Sequence, residues 1–92
     1  MSDAMPQITV YTTAACPYCR RAKDLLRKKN LAYTEIAVDN DPRTRRDMMA
    51  RAHGRIRVPQ IFFDDIHIGD CDELHALDRD GKLDALLDGG VQ

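Results

Sequence analysis

Ninety-two residues, 43% hydrophobic and 32% charged, suffice for one small domain over 1–92 with a single modest core. No apolar run approaches the ~18 residues of a membrane span, and Met1 to Gln7 lacks the basic and apolar regions of a secretory leader. A net charge of −1 and 5% aromatics argue against nucleic-acid binding, while three cysteines point to redox or metal chemistry in the cytoplasm.

The charge is unevenly spread. Arg20 to Arg57 holds 12 Lys or Arg against five acids, whereas Asp64 to Asp88 holds nine acids against two bases, Arg79 and Lys82. Solvated faces on separate helices explain this first. Attraction of an anionic ligand by the basic half is the functional alternative.

In chain order, Ile8-Thr9-Val10-Tyr11 is rich in β-branched and aromatic residues and predicts a short strand. Cys16-Pro17-Tyr18-Cys19 follows, and then Arg20 to Lys29, where Ala22, Leu25 and Leu26 share one face and cations gather towards the C-terminal end. That stretch predicts a helix, ended by Asn30. Tyr33 to Val38 mostly alternates apolar and polar residues and predicts a second strand. Strand, helix and strand within about 30 residues make a parallel βαβ unit with a right-handed crossover.

Asp41 and Pro42 suit the N-cap and first position of a second helix, which carries Met48, Met49 and Ala52 and runs to about His53. Gly54 supplies its stop. After Val58-Pro59, the runs Gln60 to Phe63 and Ile66 to Ile68 flank the turn Asp64-Asp65 and predict an antiparallel hairpin. Gly69-Asp70 opens a last helical region with Leu74 and Leu77 as its apolar seam. Gly81 breaks it, Leu83, Leu86 and Leu87 predict a final short turn of helix, and Gly89-Gly90 is expected to fray.

The chemistry centres on Cys16-Pro17-Tyr18-Cys19. A C-x-x-C between a strand and a helix puts the first sulfur at the helix N-terminus, where unpaired N–H groups and the macrodipole favour a thiolate. Pro17 suits the first helical turn because its missing N–H would have had no partner there. Cys16 is therefore the candidate nucleophile and Cys19, one turn deeper, its resolving partner.

Three motifs in order carry a family resemblance: Tyr11-Thr12 with Cys16-Pro17-Tyr18-Cys19, then Val58-Pro59-Gln60-Ile61-Phe62, then His67-Ile68-Gly69 with Cys71-Asp72-Glu73-Leu74. Together they closely resemble the dithiol glutaredoxins, and among these the small bacterial glutaredoxin 3 type, over about Ile8 to Leu87. The resemblance implies a thioredoxin-like α/β fold, a four-stranded mixed sheet flanked by helices in the order β-α-β-α-β-β-α. It also implies a glutathione-dependent oxidoreductase that reduces protein disulfides and glutathione mixed disulfides, with glutathione as reductant, no metal, and a monomeric chain.

For glutathione, the resemblance implies a cis Val58–Pro59 bond and a Val58 backbone that pairs with the ligand like an added strand. It places Tyr18 as a wall, and the helix start at Gly69 and Cys71 against the γ-glutamyl carboxylate. Asp72 or Glu73 would receive the ligand's amino group. Arg46 matches a family position for the glycine carboxylate. Two departures stand out: Thr13 where the family commonly has Lys, and Asp70 where it commonly has Gly. Arg46 and Arg57 are expected to replace the missing Lys, because guanidinium pairs bidentately with carboxylate. Asp70 is expected to cap the helix, and Cys71 to have no catalytic role.

Two other readings use the same cysteines. Cys16, Cys19, Cys71 and His75 are ligand types of zinc sites, although a Pro-Tyr pair at a helix start suits redox exchange better. An iron–sulfur cluster held by Cys16 and glutathione from two protomers is disfavoured by Pro17, which in this family accompanies disulfide reduction.

Overall fold

The computed structural model describes residues 6–87, so the expected fraying at Gly89-Gly90 lies outside them. Strand β1 (Ile8–Thr12) is buried along its whole length. It runs through the middle of a four-stranded sheet with β2 (Thr34–Ala37) on one side and β3 (Gln60–Phe63) on the other. β4 (Ile66–Gly69) completes the order β2-β1-β3-β4. β1 pairs with β2 in parallel and with β3 antiparallel, and β3 with β4 antiparallel, so the sheet is mixed as expected.

Strand alternation sorts the central side chains onto two faces. Ile8 and Val10 of β1, with Ile61 and Phe63 of β3, pack under α1 (Pro17–Lys28), α3 (Cys71–Arg79) and α4 (Lys82–Leu87). Ala22, Leu25, Leu26, Leu74, Leu83 and Leu87 descend from those helices into the same cluster. Tyr11 and Phe62 point the other way and pack with Val38 and with Met48 and Ala52 from α2 (Pro42–Arg51) and its C-cap. Each fully buried Leu, Ile or Phe contributes roughly 1.5–3 kcal/mol relative to exposure. The two layers therefore clamp β1 from both sides, and the loop that leaves its C-terminal end starts from a rigid base.

Element ends differ from the sequence expectation for local reasons. α1 starts at Pro17 rather than Arg20, because Cys16 itself is the N-cap and the C-x-x-C forms the first turn. Its other end is closed at Asn30, whose φ is +60°, with Leu31 N–H donating to Leu26 C=O at 2.9 Å. α2 ends at Arg51 rather than His53. The left-handed residue there is His53 (φ +59°), and Gly54 stands one place later, donating its N–H to Met49 C=O at 2.8 Å. Asp41 caps α2 as expected, accepting the Thr44 N–H at 3.1 Å. Gly81 (φ +75°) separates α3 from α4, one helix more than the seven-element order.

Candidate active site

The end of β1 and the start of α1 set the position of Cys16. Val38 N–H donates to Thr12 C=O at 2.8 Å, and Ala14 N–H donates to the Asp39 carboxylate at 2.8 Å, so the intervening loop is tied to the end of β2. Cys16 then takes an extended backbone (φ −128°, ψ 106°), which turns its side chain back over the open end of α1. Its Sγ accepts the Cys19 N–H at 3.1 Å, the role a Ser or Asp oxygen has at an ordinary N-cap. An N–H aimed at that sulfur stabilises negative charge on it.

The two cysteines differ in access. Cys16 is half-buried, whereas Cys19 is 1% exposed. Burial, followed by the hydrogen bond with Cys16, pushes the Cys19 thiol up to about 12. A buried thiol held protonated beside a more accessible one leaves the outer sulfur the readier to react, and the inner one can attack only after it has lost its proton.

Across from Cys16 stands the Val58–Pro59 peptide bond, which is cis. Val58 C=O lies 3.8 Å from Cys16 Sγ. Beside this pair is a cleft of about 140 Å³ lined by Tyr18, Arg57, Val58, Pro59, Asp70, Cys71 and Asp72. Six residues named from the sequence as glutathione contacts thus meet in one place, with the expected cap Asp70 beside them, although they come from three separate motifs. Tyr18 is half-exposed at the rim, with the Arg21 guanidinium 5.8 Å from its ring centre. Arg46 is exposed on α2 and does not line the cleft.

The start of α3 forms the opposite wall. Asp70 is its N-cap, accepting the Glu73 N–H at 3.0 Å while Glu73 accepts the Asp70 N–H at 2.8 Å, a closed capping box. Arg55 bridges both carboxylates, at 3.2 Å from Asp70 and 2.9 Å from Glu73. Its guanidinium holds the Glu73 carboxyl below the usual range. Glu73 is therefore engaged within the protein, and the acids that line the cleft are Asp72 and the N-cap Asp70. Gly69 lies behind, at φ +122°, where a Cβ would collide with the Glu73 side chain. Cys71 is 2% exposed, and burial pushes its thiol up.

His75 Nδ1 lies 3.4 Å from Cys71 Sγ but 2.9 Å from Cys71 C=O. An Nδ1 that donates to that carbonyl has no lone pair to share with Cys71 Sγ at a metal; the bare nitrogen of the neutral His75 ring is Nε2, on its other side. Among the described residues, no three His, Cys, Asp or Glu side chains are grouped to hold an ion.

Comparison with known proteins decides the family. The Glutaredoxin family model matches residues 8–68. A Pseudomonas aeruginosa glutaredoxin is 54% identical over 83 residues, covering 90% of this chain and 98% of its own length. Escherichia coli glutaredoxin 3 is 48% identical over 83 residues, covering 90% and 99%. The chain belongs to the glutaredoxin family. Among solved structures, a buckwheat glutaredoxin–glutathione complex superposes with a TM-score of 0.78 at 31% identity, covering 89% of this chain and 76% of that one. As a glutaredoxin the chain has the thioredoxin-like fold and is a thiol–disulfide oxidoreductase.

Sequence reasoning missed two features of this glutaredoxin. Arg55 was not singled out, because nothing in Arg55-Ile56-Arg57 tells which cation meets the capping box. Nor was the polar chain on the other side of β3, where Gln60, 0% exposed, links the Arg57 carbonyl to His67. Burial, then the charges of Arg55 and His53, lower the His67 pKa below its ordinary value. The motif residues Gln60 and His67 were in view, but their pairing across the hairpin needs the register of β3 on β4.

Proposed function

We propose that the chain reduces glutathione mixed disulfides and protein disulfides, with glutathione as its reductant and Cys16 as its nucleophile. The observation that carries this reading is Cys16 Sγ, which accepts the Cys19 N–H at 3.1 Å and stands beside the Val58 carbonyl at the edge of the cleft. The glutathione in the buckwheat glutaredoxin complex supports the choice of ligand.

In the one-cysteine route, the Cys16 thiolate attacks the glutathionyl sulfur of a protein mixed disulfide. The new Cys16–glutathione S–S bond forms as the old one breaks, and the substrate leaves as a thiolate that takes up a proton. A glutathione thiolate then attacks that adduct, releasing oxidised glutathione and restoring Cys16. In the two-cysteine route, Cys16 attacks a protein disulfide. Cys19, on losing its proton, then displaces the substrate and closes a Cys16–Cys19 disulfide, which two glutathione molecules reduce.

Within the cleft, the Val58 backbone pairs with the cysteine portion of glutathione and Tyr18 and Pro59 form its walls. Arg57 meets the glycine carboxylate, with Arg46 as an outer contact. The start of α3 at Gly69 and Cys71 receives the γ-glutamyl end, and Asp72 its amino group. Glutathione as reductant places the chain in the cytoplasm, and the reaction needs only one copy of it. Turnover of a small glutathione mixed disulfide, coupled to NADPH through glutathione and glutathione reductase, tests the reading. NADPH consumption that depends on both the protein and glutathione is expected; thioredoxin reductase substituting fully for glutathione would contradict it.

A further inference from the structure

On the α2 side of the hairpin, two imidazoles meet. His53 Nδ1 and His67 Nδ1 are 3.3 Å apart, one from the end of α2 and the other from β4. The protonation pattern of His67 follows from its neighbours. Gln60 is fully buried and donates its amide N–H to Arg57 C=O at 3.0 Å, which fixes the amide so that Oε1 faces His67. That oxygen lies 2.6 Å from His67 Nε2 and can only accept, so Nε2 carries the hydrogen. In the neutral ring, His67 Nδ1 is then a bare lone pair directed at His53.

A ligating histidine is ordinarily set up this way, with its far nitrogen donating to a carbonyl that fixes the tautomer. The spacing also fits. Tetrahedral zinc with Zn–N bonds of roughly 2.0–2.1 Å separates two ligand nitrogens by about 3.3–3.4 Å. The His67 ring is held by stacking on Phe62, with centroids 5.0 Å apart and planes 26° apart. His53 is exposed, leaving solvent access for the remaining ligands. Arg55, whose charge bears on His67, is already met by Asp70 and Glu73.

We propose that His53 and His67 form a two-imidazole site for a zinc-like divalent cation, with water completing the coordination and with no part taken by the cysteines. Without the metal, the His53 Nδ1–H donates to His67 Nδ1; binding places the ion on both Nδ1 lone pairs, and the displaced proton passes through solvent to His53 Nε2, so that each ring stays a neutral imidazole. The test is a zinc titration of 15N-labelled protein whose Cys16 has been alkylated, followed by long-range correlations of the ring nitrogens. His53 and His67 Nδ1 signals should shift together and saturate at one zinc per chain, with His75 unmoved. His53→Asn, which keeps a side chain tolerant of positive φ, should weaken zinc binding at least tenfold and leave the backbone amide spectrum otherwise intact. Equal affinity in that variant, shifts confined to His75 or the thiols, or no shift of the pair at millimolar zinc would each overturn the site.

Discussion

Two helices of this glutaredoxin begin with a cysteine, and they do so in opposite ways. At α1 the cap is the Cys16 sulfur itself, and the first turn holds no acid. At α3 the cap is Asp70, locked to Glu73 in a capping box and to Arg55 by ion pairs; Cys71 stands just inside, 2% exposed. Both sulfurs are near the same cleft and both sit at the positive end of a macrodipole. On the proposed assignment of Cys16 as nucleophile, a helix N-terminus does not by itself make a cysteine reactive. What differs is whether a carboxylate already satisfies the end of the helix, and whether solvent reaches the sulfur.

The widest gap between the two ends should appear on removing each sulfur. Cys16→Ser is expected to abolish turnover of both substrate types, because no other accessible thiol remains. Cys71→Ser should leave both activities close to wild type. The opposite pattern in the coupled assay would reverse the assignment.

Labelling sharpens the same contrast through pH. A thiol whose pKa is raised stays protonated as pH climbs, so Cys19, pushed up to about 12, should resist iodoacetamide at pH 9.0, where an ordinary thiol is half ionised. Cys71, also raised by burial, should resist too. Peptide mass spectrometry of the folded, reduced protein should find Cys16 alkylated alone, and all three cysteines only after denaturation.

Smaller effects come from the cleft wall. Arg57→Ala should raise the apparent KM for a glutathionylated substrate about 2- to 12-fold with little change in kcat, as for one exposed charged contact. Arg46→Ala should do less, since Arg46 lies outside the cleft lining. An unchanged KM in the double variant at low salt would take both out of the site. Smallest of all, Asp70→Ala opens the sealed helix. Loss of such a cap is worth about 0.5–2 kcal/mol, so thermal unfolding should show a drop of several degrees. KM for the anionic ligand should not rise, because a negative charge has left the cleft.

Much of this was legible in the chain. β-Branched and apolar runs, the alternation of the second strand and helical patterning locate the strands and helices of the described residues, and Asp41, Asn30 and Gly81 mark ends that the structure keeps. α1 starts earlier than its patterning indicates because a cysteine is not an ordinary cap, and the stop of α2 falls on His53 because a left-handed His serves where Gly is expected. The cleft drew Tyr18, Arg57, Val58, Pro59, Cys71 and Asp72 together from distant motifs. Glu73 could not be placed correctly from sequence, since its commitment to Arg55 depends on where the segment after α2 passes α3. The Gln60–His67–His53 chain was hidden for the same reason: it exists only once β3 and β4 are in register and α2 ends beside them.

The division of labour between the accessible and the buried sulfur is the centre of the account, and Cys19→Ser tests it most directly. In the proposed mechanism, removal of glutathione from a substrate needs only Cys16, whereas the two-cysteine reduction of a protein disulfide needs Cys19 to displace the substrate. The folded variant should keep deglutathionylation, with the rate equal to or above wild type because the internal disulfide can no longer form. It should lose most protein-disulfide reduction, and mass spectrometry should show it accumulating one glutathione on Cys16. Equal loss of both activities, with the fold intact, would contradict the assignment.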